Sequence, residues 1–290
     1  MGKRRKGRPP QRTPRQQQRS KHQDIFNPRP FAGLADEPEW IALRELVPAA
    51  TAPLTLRPEY GDRTVTLATL LPMAQAAVRR PDGSIMVGLQ RTISSGDPNR
   101  DVAAAILAAL ETDPGQPVQV PPPSEGPRLA DILVDGELDI TVHDGFDFWA
   151  ADDDDDPAVA ASLERANESI FPTVRMAAAR AAYWCQVPER AHVRWVLGEP
   201  EDAALTALAR VAAAGGLKLR DDTKFAGMIR VLGVLVPVWD LPREVPASEW
   251  EEPLAGFAKR YTEALAATGD LDAATRRARQ GLIGRQLTLR

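Results

Sequence analysis

Apolar positions recur at helical spacing just after Asp36, where Trp40, Leu43 and Val47 share one face and Asp36 is placed to cap the helix. Next, TVTLATLL at residues 64–71 is β-branched and alternating, which predicts a strand. AAVRRPDGSIMVGLQ at residues 76–90 predicts a hairpin: Pro81 presets φ for a turn, Asp82 tolerates the following position and Gly83 supplies a positive φ. Val102, Ile106 and Leu110 then form the stripe of a helix over about residues 99–111. Six prolines fall within residues 113–127 and forbid both helix and central strand, which makes this stretch the best internal boundary.

The pattern resumes with LDITVHDGFDFWA at residues 138–150, predicted as a strand bent at Gly145, and a helix over about residues 157–169. AAYWCQVPERAHVRWVLG at residues 181–198 predicts a second hairpin, turning at Pro188 and Glu189. Pro200, Glu201 and Asp202 suit a helix start, Leu205, Leu208 and Val211 form its stripe, and Gly215 and Gly216 stop it. Strands are expected at residues 224–232 and 234–239 with a bend at Gly233. Two helices follow: one carries Leu254, Phe257, Tyr261 and Leu265, and one over about residues 271–282 presents Arg276, Arg277 and Arg279. A hairpin followed by an acid-started helix thus occurs twice. The expected fold is α+β, with antiparallel sheet built from two hairpin–helix units, a helical C-terminus and a disordered basic N-terminal arm. The implied divisions are the arm at 1–30, a first α+β half at 31–112, a proline-rich linker at 113–127, a second half at 128–246 and C-terminal helices at 247–290.

Charge changes this picture most. The net charge of −4 conceals nine cations and no anions in residues 1–23, which leaves 27 Lys and Arg against 40 Asp and Glu in the remainder. A single cysteine, Cys185, excludes an intramolecular disulfide and fits a reducing, cytoplasmic setting. No secretory signal is visible, and Lys6 stands where a myristoylation signal has Ser or Thr. The most apolar stretch, MIRVLGVLVPVWDL at residues 228–241, is shorter than the roughly 20 residues of a membrane span, so it reads as core.

Motifs exclude more than they assign. Neither G-x-x-x-x-G-K-[ST] nor G-x-G-x-x-G occurs, and neither H-E-x-x-H nor G-x-S-x-G is present, so no cofactor is implied. Symmetric turning of the second hairpin would place Cys185 opposite His192, close enough for an imidazole to activate a thiol. No third, orienting residue can be assigned from the pattern. Against this stands the common role of an unpaired cysteine as a small buried hydrophobe. His143, Asp144 and Asp147, with Asp152 to Asp156, form a dense carboxylate cluster that could attract a hard cation. Five adjacent aspartates repel one another and point apart, so a solvated acidic loop is the better reading, with no metal. Such a loop could also pair with the basic arm.

The arm is the strongest functional signal. Lys3, Arg4, Arg5, Lys6, Arg8, Arg12, Arg15, Arg19 and Lys21, spaced by Pro and Gln, can each neutralise a phosphate. No aromatic residue lies among them, so base stacking cannot come from the arm. The expected function is a non-enzymatic binding or adaptor protein whose arm contacts nucleic acid or a ribonucleoprotein while the acidic body engages a protein partner. The alternatives are a thiol-dependent enzyme or sensor using Cys185 and His192, and a chaperone-like interaction domain with an incidental tail.

NPRPFAGLADEPEWIALRELVPAATAPLTL at residues 27–56 and LVPVWDLP at residues 235–242 resemble an uncharacterised family of actinobacterial proteins, a domain of unknown function. Some of its members carry SecA-like or topoisomerase names. Those names imply an ATPase motor or a DNA-cleaving tyrosine enzyme, yet the chain has neither a Walker loop nor a Cys-rich zinc motif. Tyr60, Tyr183 and Tyr261 lie in no topoisomerase-like context. The resemblance transfers a lineage and no functional residue.

Overall fold

The computed structural model describes residues 26–287 apart from 62, 93, 122–125 and 151–156. The arm cations from Lys3 to Lys21 and the run from Asp152 to Asp156 lie outside the described residues.

The fold is α+β. Helix α1 (Glu37–Glu45) buries Trp40, Ile41 and Leu43, but Val47 lies beyond its end, and Asp36 stands at its N-terminus without capping it, because its carboxylate is taken by the Leu138 N–H and Arg180. Five strands make the first sheet: β1 (Ala50–Thr55), β2 (Thr64–Leu70), β3 (Ala77–Arg79), β4 (Ile85–Gln90) and β5 (Thr141–Val142), in the order β3-β4-β2-β1-β5. β3 and β4 form the expected hairpin, with Gly83 at φ 87° in its turn. This sheet is not purely antiparallel, because β2 and β4 run parallel. After β2 the chain turns through Met73 and Ala74, both at positive φ, and lays β3 outside β4, so β4 returns alongside β2. Helix α2 (Pro98–Glu111) covers one face with Val102, Ala105, Ile106 and Ala109. A short helix α3 (Leu129–Ile132) follows, and Leu56 bridges to Leu133.

The expected strand over residues 138–150 shrinks to the two residues of β5 and a short turn at Asp147–Trp149. Gly145 meets Asn167 so closely that an added Cβ would lie 2.9 Å from its Nδ2. Phe146 stacks on Trp149 at 4.3 Å, Trp149 Nε1 donates to the Leu70 carbonyl, and Arg80 donates to the carbonyls of Phe148, Trp149 and Ala150. Packing of these aromatics under the first sheet overrides their strand propensity.

Helix α4 (Pro157–Asn167) leads into the second sheet: β6 (Thr173–Arg175), β7 (Ala182–Gln186), β8 (Ala191–Trp195), β9 (Lys224–Val231), β10 (Val234–Leu241) and β11 (Gln286–Leu287). Its order is β11-β9-β10-β8-β7-β6, antiparallel except for β11, which runs parallel to β9. Helices α5 (Glu201–Ala213), α6 (Glu251–Ala266) and α7 (Ala273–Ile283) cover one face, where Trp239, Trp250, Leu254 and Phe257 are buried. The other face, with Tyr183, Val234, Val236 and Val238, joins the core of the first half. Burial on both faces explains why β10 is apolar nearly throughout instead of alternating.

Three acids at the start of α1 fasten the two halves. Asp36 accepts the Leu138 N–H at 2.9 Å and pairs with Arg180. Glu37 takes Arg29 at 2.6 Å, and Arg29 also donates to the Gly198 carbonyl. Glu39, fully buried, accepts from Arg175 at 2.7 Å, from the Tyr183 hydroxyl at 2.6 Å and from the Ala181 N–H at 3.1 Å. The positive end of the helix dipole favours all three carboxylates.

Candidate functional site

Cys185 and His192 are opposed in the β7–β8 register, as a symmetric turn requires. The adjoining strand supplies the partner that the sequence pattern withheld: Asp240 on β10 is opposite His192, and its Oδ1 lies 3.1 Å from His192 Nδ1. A row Thr173, Cys185, His192, Asp240, Lys224 therefore crosses the sheet from β6 to β9. Asp240 could not be found from sequence, because a two-residue hairpin turn fixes the β7–β8 register whereas β8 and β10 are separated by α5 and β9.

The row does not make an activated thiol. Cys185 is 4% exposed, and burial pushes its thiol above the ordinary cysteine range, with Arg194 and the His192 backbone pulling the other way. Among the described residues no hydrogen bond joins the thiol to the imidazole. His192 Nδ1, although close to Asp240, is out of line for a hydrogen bond, and the second Asp240 oxygen is taken by Arg190 at 2.9 Å. Alkylation of native Cys185 at neutral pH is accordingly expected to run slower than that of a free thiol. A mass-spectrometric time course with iodoacetamide measures this, and a faster rate would restore the thiol reading.

Tyr183, Cys185, His192 and Arg194 share one face, which the sequence suggests is the polar side of the hairpin. Tyr183 is instead buried in the core shared with the first half, and Cys185 is buried beside the end of α1. Where the end of α1 passes over this face, a cavity of about 210 Å³ opens between the halves. Its walls include Leu46, Val47, Pro48 and Phe171, and its polar groups include Gln90, Thr173, Cys185 and Arg194.

His143 follows β5. Its Nε2 lies 2.8 Å from Thr51 Oγ1 and its ring packs on Phe148 at 4.9 Å. Asp144 and Asp147 beside it are exposed, and no group of three His, Cys, Asp or Glu among the described residues converges as a metal site. Burial lowers the pKa of both His143 and His192 below the ordinary 6.5. Unfolded chains thus bind protons that the native chain refuses: stability is complete above pH 6.5 and falls as the pH drops from there toward the native pKa values. Melting temperatures should decline from pH 7.5 to 5.5, and replacing both histidines by Gln should flatten that decline.

The sequence profile of a family of unknown function, DUF5926, matches residues 30–290. The chain belongs to this family. The matched region takes in both sheets and the inter-half cavity, while the cationic arm precedes it. Searches of the curated proteins and of the solved structures found no match. No described helix is long and apolar enough to cross a membrane.

Proposed function

We propose that this DUF5926 protein is a non-enzymatic nucleic-acid-binding adaptor: the arm holds RNA or DNA through phosphates, and the acidic body carries the specificity for a protein partner. The observation that carries the reading is the run of nine cations without an anion in residues 1–23. Each phosphate neutralised releases condensed counterions, which favours binding independently of base sequence.

The geometry at the root of the arm supports it. Pro28 and Arg29 pack on the β9–β10 turn, where a Cβ on Gly233 would lie 2.8 Å from the Arg29 side chain. Arg285 donates no side-chain hydrogen bond and forms no ion pair among the described residues, and its carbonyl accepts the Met228 N–H. Met228 is five strand residues from Gly233, about 17 Å along β9. Arg277 on the exposed side of α7 is likewise unpaired among the described residues, and residues 273–290 contain five arginines and no acid. A second cationic segment therefore flanks the origin of the first, on a body otherwise rich in carboxylates that would repel a polyanion. Binding through phosphates alone fits a cytoplasmic protein with one reduced thiol.

Removing residues 1–24 tests the reading. Filter retention of RNA and of duplex DNA by the full chain and by the truncated chain is compared at two salt concentrations. The truncated chain should keep its circular dichroism and lose retention. Equal retention by both would overturn the proposal.

A further inference from the structure

We propose that the cavity between the halves is a binding site for a small organic carboxylate, held by Arg194. Three observations converge on this class of ligand, and none of them depends on the nucleic-acid reading.

The first is an unanswered charge. Arg194 lines the cavity yet forms no ion pair and no side-chain hydrogen bond among the described residues. Most other arginines around the halves are engaged: Arg29 by Glu37, Arg44 by Glu45, Arg175 by Glu39, Arg180 by Asp36 and Arg190 by Asp240. Glu45, the one carboxylate on the cavity wall, is already taken by Arg44 at 3.0 Å. A guanidinium presents a planar fork that matches a carboxylate.

The second is the wall. Leu46, Val47, Pro48, Phe171 and Val187 give an apolar lining, and Phe171 remains 49% exposed at the rim, an aromatic ring without a full partner. Thr173 and Gln90 add a hydroxyl and an amide beside the cation. Apolar walls with a few convergent polar groups are the usual make-up of a small-molecule site.

The third is size and place. About 210 Å³ is below the roughly 300–1,000 Å³ of drug-sized pockets, which suits a short aliphatic or aromatic acid better than a nucleotide or a flavin. The cavity is built by both halves, with α1 and β4 on one side and β6, β7 and β8 on the other. A ligand there would tighten their contact. Arg194 also lies near enough to Cys185 and His192 to influence both, so the buried thiol reports on occupancy.

Calorimetric titration of the full chain with benzoate and hexanoate, and with benzamide and hexanamide as neutral matches, tests the assignment. At least one acid should bind, and its amide should bind at least about tenfold more weakly, as loss of a charge-assisted hydrogen bond requires. Arg194→Gln should weaken the acid by a similar factor, and Arg194→Lys should restore part of it. Arg194 makes no side-chain hydrogen bond or ion pair among the described residues, so the melting temperature should be unchanged, which confirms that the variants are folded. The bound acid should also slow alkylation of Cys185 by iodoacetamide. Binding of neither acid at 20 mM, equal binding of acid and amide, full binding by Arg194→Gln, or binding without protection of Cys185 would each overturn the site. Arm truncation should leave acid binding intact, so failure of the nucleic-acid reading and failure of this site are read separately.

Discussion

Affinity of the full chain for duplex DNA is expected to fall by roughly 10³–10⁵ between 50 and 200 mM salt, the range that 6–10 phosphate contacts produce. Nine arm cations suffice for that count, and Arg276, Arg277 and Arg285 can extend it. The log–log slope should be about −0.9 per contact on duplex and about −0.7 on a single strand. Replacing Lys3, Arg4 and Arg5 together by Gln should therefore reduce the duplex slope by about 2.7. Replacing Arg276, Arg277 and Arg285 by Gln should reduce it further if α7 touches the same duplex. Because the arm has no ring on which a base can stack, oligomers of different base composition should bind alike. Fluorescence anisotropy across four salt concentrations measures all of this. A flat salt dependence, or a strong preference for one base sequence, would contradict an electrostatic tether.

Glu39→Ala is expected to destabilise the fold by about 1–3 kcal/mol, because buried donors lose their acceptor while the part-exposed Arg175 can turn to solvent. Glu39 is fully buried and serves three donors from the other half: the Arg175 guanidinium, the Tyr183 hydroxyl and the Ala181 N–H. Without it, the buried Tyr183 hydroxyl and the Ala181 amide lose their acceptor, and a buried unsatisfied group costs about 1–3 kcal/mol. Ala181 also sits at φ 57°, left-handed and strained for a residue with a Cβ, and the Glu39 carboxylate helps to hold it there. Burial and the Glu39 charge keep the Tyr183 hydroxyl protonated well above its ordinary range, so it is a permanent donor here. Glu39→Gln, which keeps an acceptor, should lose less than the Ala variant. Urea unfolding checks both: a lower midpoint with unchanged slope is the expected result. A loss below about 1 kcal/mol for Glu39→Ala would mean that the clamp is not what joins the halves.

Local chemistry made several elements legible before any tertiary contact was known. Pro81, Asp82 and Gly83 specify the turn of the β3–β4 hairpin, and Pro188 with Glu189 specifies a two-residue turn that sets Cys185 against His192. Glu201, Asp202 and the Leu205, Leu208, Val211 stripe mark α5. Other strands left no such trace. β1 contains Pro53, which a strand tolerates here because β5 pairs only with Ala50 and Thr51, leaving the Pro53 edge free. β5, β6 and β11 run for two or three residues, too few for an alternation to register. The two hairpin–helix units, alike in order along the chain, are also built differently: β4 runs parallel to its neighbour β2, whereas β8 runs antiparallel to β10.

The candidate sites divide the same way. The cationic arm is a property of composition, because nine charges with no apolar residue after Met1 mean the same thing in any fold. The sequence by itself also set the α+β class and the Cys185–His192 opposition, which depend on local pattern and on neighbours within one turn. Only the tertiary structure decided that Asp240 completes their row, that Glu39 is a buried clamp and not a surface charge, and that Arg194 faces a cavity. Those outcomes depend on strand order and on which face of the second sheet the first half covers. Strand order arises from pairings as distant as Ala50 with Val142, and the packing of the halves from contacts more than a hundred residues apart, whereas hydrophobic periodicity records only which side of an element is buried, not what buries it.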